Sequence, residues 1–185
     1  MNRDNRLVTM MEISLMTALA VILDKFLILF TMPQGGSVTL TALPIAILAF
    51  RRGWKAGVVS GFLTGIILLM FGGYVVHPVQ AILDYPLAFA VLGLAGLIKL
   101  PDDQGRKAKR LVVAGFGLLG AQLLRLVSHF ISGVIFFGEY APKGQSVYLY
   151  SFIYNISYIL PSVLVSFVAV WLILYTAPQL VTKQR

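Results

Sequence analysis

The sequence contains no cysteine, which excludes disulfide frameworks and thiolate chemistry. Charge is scarce as well. Only 12% of the 185 residues are Asp, Glu, Lys or Arg, about half the share usual in a soluble domain. A chain that is 58% hydrophobic, with mean hydropathy +0.87, cannot hide its apolar surface in one core of this size, so bilayer is its natural solvent. No G-x-x-x-x-G-K-[ST] loop occurs, which excludes ATP hydrolysis by the P-loop route. No internal repeat marks an inverted-repeat transporter. The N-terminus lacks the small-residue cleavage site of a signal peptide, and its apolar run is too long for one.

What the sequence does have is apolar runs. Six candidate spans cover about 7–32, 37–50, 55–71, 79–99, 111–137 and 148–177, most near the ~20 residues a bilayer core needs. Every connection is short, so residues 1–185 are expected to form one compact domain. The net charge of +8 could suggest a nucleic-acid partner, but topology explains it better. Arg3 and Arg6 precede the first span, and Arg51, Arg52 and Lys55 join the second to the third. Lys99, Arg106, Lys107, Lys109 and Arg110 lie between the fourth and fifth, and Lys183 and Arg185 close the chain. The opposite connections hold only Lys143. By the positive-inside rule both termini are cytoplasmic. The expected fold is an all-α integral membrane protein, a bundle of six transmembrane helices.

Polar groups inside the spans then gain meaning from their depth. At ~1.5 Å of rise per residue, Asp84 lies roughly 8 Å below the outer boundary, His129 roughly 12 Å and Asn155 roughly 10 Å. Three helices thus offer an acid, an imidazole and an amide at nearly one level. Tyr74, Tyr85, Phe136, Phe137, Tyr148, Tyr150, Tyr154 and Tyr158 surround that level. Arg125, His129, Gly133 and Phe137 follow at four-residue steps and share one helix face.

Simpler explanations exist for several of these groups. Boundary aromatics form interfacial belts. His129 and Asn155 could hydrogen-bond between helices. Arg125 is expected to pair with a carboxylate or helix-end carbonyls, and Asp24 and Lys25 to snorkel to the outer boundary. Asp84 is harder to dismiss, because its short side chain snorkels poorly and an intramembrane acid is costly. An acid ringed by aromatics suits an organic cation, through counter-charge and cation–π attraction. One Asp and one His on different helices are too few for a metal site, so neither metal nor cofactor is expected. Ser128 and Ser132 neighbour His129, yet nothing marks either as a nucleophile. Ser14 and Ala18, four residues apart on the first span, form a small-residue pair that lets another helix approach closely.

Four segments carry a family resemblance: "MPQGGSV" (32–38), "HPVQAILDY" (77–85), "HFISGVIFFGEYAPKG" (129–144) and "YSFIYNISY" (150–158). In order and spacing, over nearly the whole chain, the sequence resembles the thiamine-specific substrate-binding subunits of energy-coupling factor (ECF) transporters, in their bacillus form. The resemblance implies six helices and high-affinity capture of thiamine from outside. It also implies docking on a membrane coupling protein with two ATPases, through the small-residue face near Ser14 and Ala18. The family's acid near the thiazolium matches Asp84, followed by Tyr85. Its imidazole and amide ligands match His129 and Asn155, and its aromatic ligands match Tyr74, Phe137 and Tyr150. Familiar members carry Glu and Trp where this chain has Asp84 and Phe137, and some place a tryptophan in the loop at 32–38. The expected function is vitamin capture rather than catalysis. The alternatives are a self-sufficient proton-coupled carrier of an organic cation or thiamine precursor, and a small enzyme acting on lipid headgroups.

Overall fold

A computed structural model of the chain describes residues 3–101 and 107–181. Arg106, Lys183 and Arg185, counted above in the charge asymmetry, lie outside the described residues. Six helical stretches longer than ten residues occur among them. They are α1 (Arg3–Phe26), α2 (Ala42–Arg52), α3 (Trp54–Met70), α4 (Pro78–Leu97), α5 (Lys107–Phe136) and α6 (Val147–Thr176). Four of them, α1 from Asn5 together with α4, α5 and α6, are long and apolar enough to cross a membrane. Their outer faces are apolar too, with Leu15, Phe116, Leu123 and Leu164 exposed. Such extensive exposed apolar surface fits hydrocarbon rather than water.

The expected first and second spans need correction. α1 stops at Phe26, and the chain continues into a small antiparallel hairpin in which β1 (Phe30–Thr31) pairs with β2 (Ser37–Val38). The hairpin turns through Gly35 and Gly36, both with φ near +90°. Only glycine adopts that backbone freely. Apolar character alone had extended both spans into this hairpin. α2 therefore begins at Ala42 and has 11 residues, about 16 Å of helix.

α4 is irregular for a local reason. Pro86 has no N–H to donate and crowds the preceding turn. The helix responds with a π-turn over Leu83–Leu87 and tightens to 3-10 geometry over Val91–Leu97. The Leu83 carbonyl accepts a 2.7 Å hydrogen bond from Ser128 Oγ on α5, which ties the π-turn to its neighbour. Asp84 sits inside this turn.

The two ends of the bundle differ. At one end Glu12 of α1 receives both Arg51 (2.9 Å) and Arg52 (2.7 Å) from the α2–α3 turn. Arg51 also donates to the Gln179 carbonyl beyond α6. The hairpin and the loops before α4 and α6 gather at the other end, around a cavity. Beneath the cavity, Ile45, Leu68, Phe89, Leu92 and Leu118 form the main apolar core.

Candidate functional site

The cavity measures about 230 Å³ and draws its walls from α1, the hairpin, α3, α4, α5 and α6. That volume suits a small molecule and lies just under the ~300–1,000 Å³ of typical ligand pockets. Asp84, Tyr85, His129, Phe137, Tyr150, Asn155 and Tyr74 all line it.

Asp84 is the centre of a fixed network. Its Oδ2 accepts from Gln80 Nε2 at 2.7 Å and from Ser132 Oγ at 2.9 Å. Its Oδ1 lies 3.1 Å from His129 Nδ1. The other imidazole nitrogen, Nε2, lies 3.3 Å from Arg125 Nε. A guanidinium only donates, so Nε2 must accept and the ring proton sits on Nδ1, donated to Asp84. Asp84 is therefore an acceptor held by three uncharged donors. No guanidinium or ammonium touches it among the described residues, and its charge is left for the cavity.

Gln80, fully buried, explains how the loop before α4 is tied to the acid. Its amide donates to the Tyr74 carbonyl (3.0 Å) as well as to Asp84, and its carbonyl accepts from the Val76 N–H (3.0 Å). Tyr85 OH accepts from the Tyr74 N–H at 2.7 Å, closing the same loop against the π-turn.

The opposite wall belongs to α6. Asn155 Nδ2 donates to the Ser151 carbonyl (2.8 Å), and its Oδ1 accepts from Tyr158 OH (2.7 Å). Oδ1 keeps a second lone pair for a ligand donor. Tyr154 OH accepts from the Gln34 N–H (3.0 Å) and donates to the Gly35 carbonyl (2.9 Å), so α6 pins the hairpin over the cavity. A Cβ on Gly36 would lie 2.7 Å from the Tyr158 ring, so glycine there lets the hairpin rest on that ring. At the mouth, Phe137 stands between Tyr74 and Tyr140, with centroid separations of 6.0 and 6.2 Å.

Comparison with known proteins gives this cavity a family. The family model described as "Thiamine transporter protein" matches residues 10–182. The thiamine transporter ThiT of Bacillus subtilis (strain 168) is 40% identical over 191 residues, covering all of both chains. ThiT of Lacticaseibacillus paracasei is 35% identical over 188 residues, 97% of this chain and 93% of that protein. The solved structure of ThiT from Listeria monocytogenes superposes with a TM-score of 0.84 at 29% identity, covering 96% of this chain and 99% of that one. The chain belongs to the thiamine transporter family. As a member of the thiamine transporter family it is a multi-pass protein of the bacterial cell membrane, and a transporter rather than an enzyme.

Within this transporter, the polar residues discussed above sort clearly. Among the described residues Arg125 meets neither a carboxylate nor a helix end: it donates to His129 and lies 4.7 Å over the Phe89 ring. Asp24 does not snorkel away. It lines the cavity and accepts from Thr41 Oγ1 at 2.8 Å. Lys25, also on the cavity wall, donates to the Phe71 carbonyl at 3.1 Å. Phe136 stacks on His77 and Tyr148 is exposed, so neither reaches the cavity. Ser14 and Ala18 are exposed on α1. Sequence reasoning missed Gln80, although it stands one helical turn before Asp84. It also passed over Ser132, weighed only as a nucleophile.

Proposed function

We propose that this chain captures thiamine from outside the cell as the substrate-binding subunit of an ATP-driven ECF uptake system. In this reading residues 1–185 form one domain of six membrane-crossing helices with cytoplasmic termini. The observation that carries it is Asp84: an intramembrane carboxylate held by three uncharged donors in an aromatic-walled cavity. The thiazolium of thiamine supplies the missing positive charge, and Phe137, Tyr74 and Tyr150 supply ring faces for cation–π contact and stacking. Tyr85 shapes the wall beside the acid, and Asn155 offers an acceptor to the aminopyrimidine. His129 meets the ligand as a ring, because both its nitrogens are engaged. The names of the relatives support thiamine as the ligand, at full-length similarity.

Calorimetric titration tests this directly. Thiamine should bind tightly and its uncharged pyrimidine precursor at least about 100-fold more weakly, because the precursor brings no counter-charge to the half-buried carboxylate. Equal affinity would remove the thiazolium from the argument.

The chain has no P-loop, so in this reading ATP is hydrolysed by partners: a membrane coupling protein and two ATPases. The exposed pair Ser14 and Ala18 on α1 is the proposed contact. Ser14→Trp combined with Ala18→Trp should abolish co-purification of those subunits and leave thiamine affinity unchanged. Unchanged co-purification would move the interface elsewhere. Accumulation of thiamine by the chain alone in liposomes, driven by a pH gradient without ATP, would favour the self-sufficient carrier.

A further inference from the structure

His129 is bonded on both sides, and the two partners are not equivalent. Arg125 is buried, donates from Nε to His129 Nε2 at 3.3 Å, and makes no ion pair among the described residues. Its guanidinium rests on the Phe89 ring instead, 4.7 Å from the centroid. We propose that Arg125 is a positioning residue that locks His129 in its neutral, Nδ1-protonated form, so that Asp84 keeps its charge for the bound cation.

The logic follows from what each group can donate. An unprotonated Nε2 is the only acceptor Arg125 can use on this ring. Protonating it would turn the hydrogen bond into a cation–cation contact in a site shielded from water, where charges interact strongly. It would also make His129 an imidazolium paired with Asp84, satisfying the carboxylate before any ligand arrives. A free histidine changes charge in the mildly acidic range, so without the lock the site would fill with protons as pH falls. The other titratable groups around the ring do not replace Arg125. From α4 come Asp84 and Tyr85, and from α6 come Tyr150, Tyr154 and Tyr158, the last edge-on to the imidazole at 6.0 Å. From α1 come Asp24, bonded to Thr41, and Lys25, bonded to the Phe71 carbonyl. No hydrogen bond joins any of these except Asp84 to the imidazole.

The chain has two histidines, which makes the test clean. His77 Nδ1 accepts from the Val79 N–H at 3.1 Å, so neutral His77 carries its proton on Nε2, the opposite tautomer. Nitrogen-15 NMR of histidine-labelled, ligand-free protein should therefore show two different imidazoles. His129 should stay Nδ1-protonated and neutral as pH is lowered from neutral through the mildly acidic range in which a free histidine protonates. Arg125→Met should release the lock, so that His129 either protonates or changes tautomer across that range. Arg125→Lys, which keeps a donor-only cation, should restore the wild-type signature in whole or part. An imidazolium or an Nε2-protonated His129 in the wild type would overturn the proposal, whether or not the variants fold. So would a folded Arg125→Met protein with wild-type signals.

The ligand half rests on the thiamine reading and is measured separately. Wild-type affinity should be flat over the same range, whereas Arg125→Met should lose up to about tenfold per pH unit once the ring protonates. Failure of thiamine to bind would refute the function and leave the tautomer result standing. A flat profile in Arg125→Met, with His129 seen to protonate, would refute the protective role itself.

Discussion

Asp84→Asn is expected to weaken thiamine binding by roughly 10²–10³-fold, about 3–4 kcal/mol at about 1.4 kcal/mol per decade. Two losses combine. The carboxylate charge disappears from a site where no other acid replaces it at the same position. The amide also has no comfortable orientation. One carboxylate oxygen accepts from Gln80 and Ser132, and the other faces His129 Nδ1–H. Turning Nδ2 toward Gln80 sets donor against donor, and Gln80 cannot flip without breaking its bonds to Tyr74 and Val76. Turning it toward His129 meets the ring proton, which Arg125 holds in place. A buried donor left unmatched costs about 1–3 kcal/mol of this total. The discriminating control is an uncharged thiamine analogue, whose affinity should fall far less in the variant than that of thiamine. If thiamine and the analogue lose equally, the effect lies in the network's shape and not in charge pairing. Asp84→Glu keeps the charge and should retain most of the binding.

That network shows what a sequence can and cannot reveal about such a site. Helical rise alone brought Asp84, His129 and Asn155 to one level, and the four-residue spacing of Arg125, His129, Gly133 and Phe137 put them on one wall. Both arguments are one-dimensional, and the helices preserve them in space even though Asp84 sits in a π-turn. The parts that escaped depend on irregularity or on pairing between segments. The chain at 30–38 is apolar enough to pass for membrane span, yet the Gly35–Gly36 turn folds it into a hairpin over the cavity. Pro86 was visible, but the π-turn it induces, and the Leu83 carbonyl it turns to Ser128, needed the neighbouring helix. Arg125 illustrates the limit best. Depth marks it as buried and in need of a partner, and a carboxylate or helix-end carbonyls are the expected candidates. The guanidinium instead uses a neutral imidazole and an aromatic ring, and His129 stands between it and Asp84. Charge complementarity could not predict a pairing that exists to keep charges apart.

Gly65→Val should damage both stability and binding, although Gly65 does not line the cavity. Gly57, Gly61 and Gly65 recur every four residues on α3, and each lies against the backbone of α4. A Cβ on Gly65 would overlap the Tyr85 carbonyl and come within 2.7 Å of Pro86 Cα. Those are backbone atoms of the π-turn, so no flexible side chain can move aside. α4 must shift, and with it Asp84 and the Tyr85 ring. Overpacking of this kind costs about 1–3 kcal/mol, and here the upper end is expected because the obstacle is main chain. Thermal unfolding in detergent should show a fall of roughly 5–10 °C. Thiamine affinity should fall by about tenfold or more, since a shift of a fraction of an ångström at the π-turn opens the three hydrogen bonds to Asp84. Gly120→Ala is the matched control. It is also a helix glycine, but its Cβ would meet nothing within 4 Å. It should leave binding intact and leave stability equal or better by about 0.5–1 kcal/mol, through reduced freedom of the unfolded chain. A Gly65→Val protein with normal affinity and a lowered melting temperature would separate packing from function. It would mean that the π-turn holds Asp84 in place through α5, by way of Ser128 and Ser132, and does not need the close approach of α3.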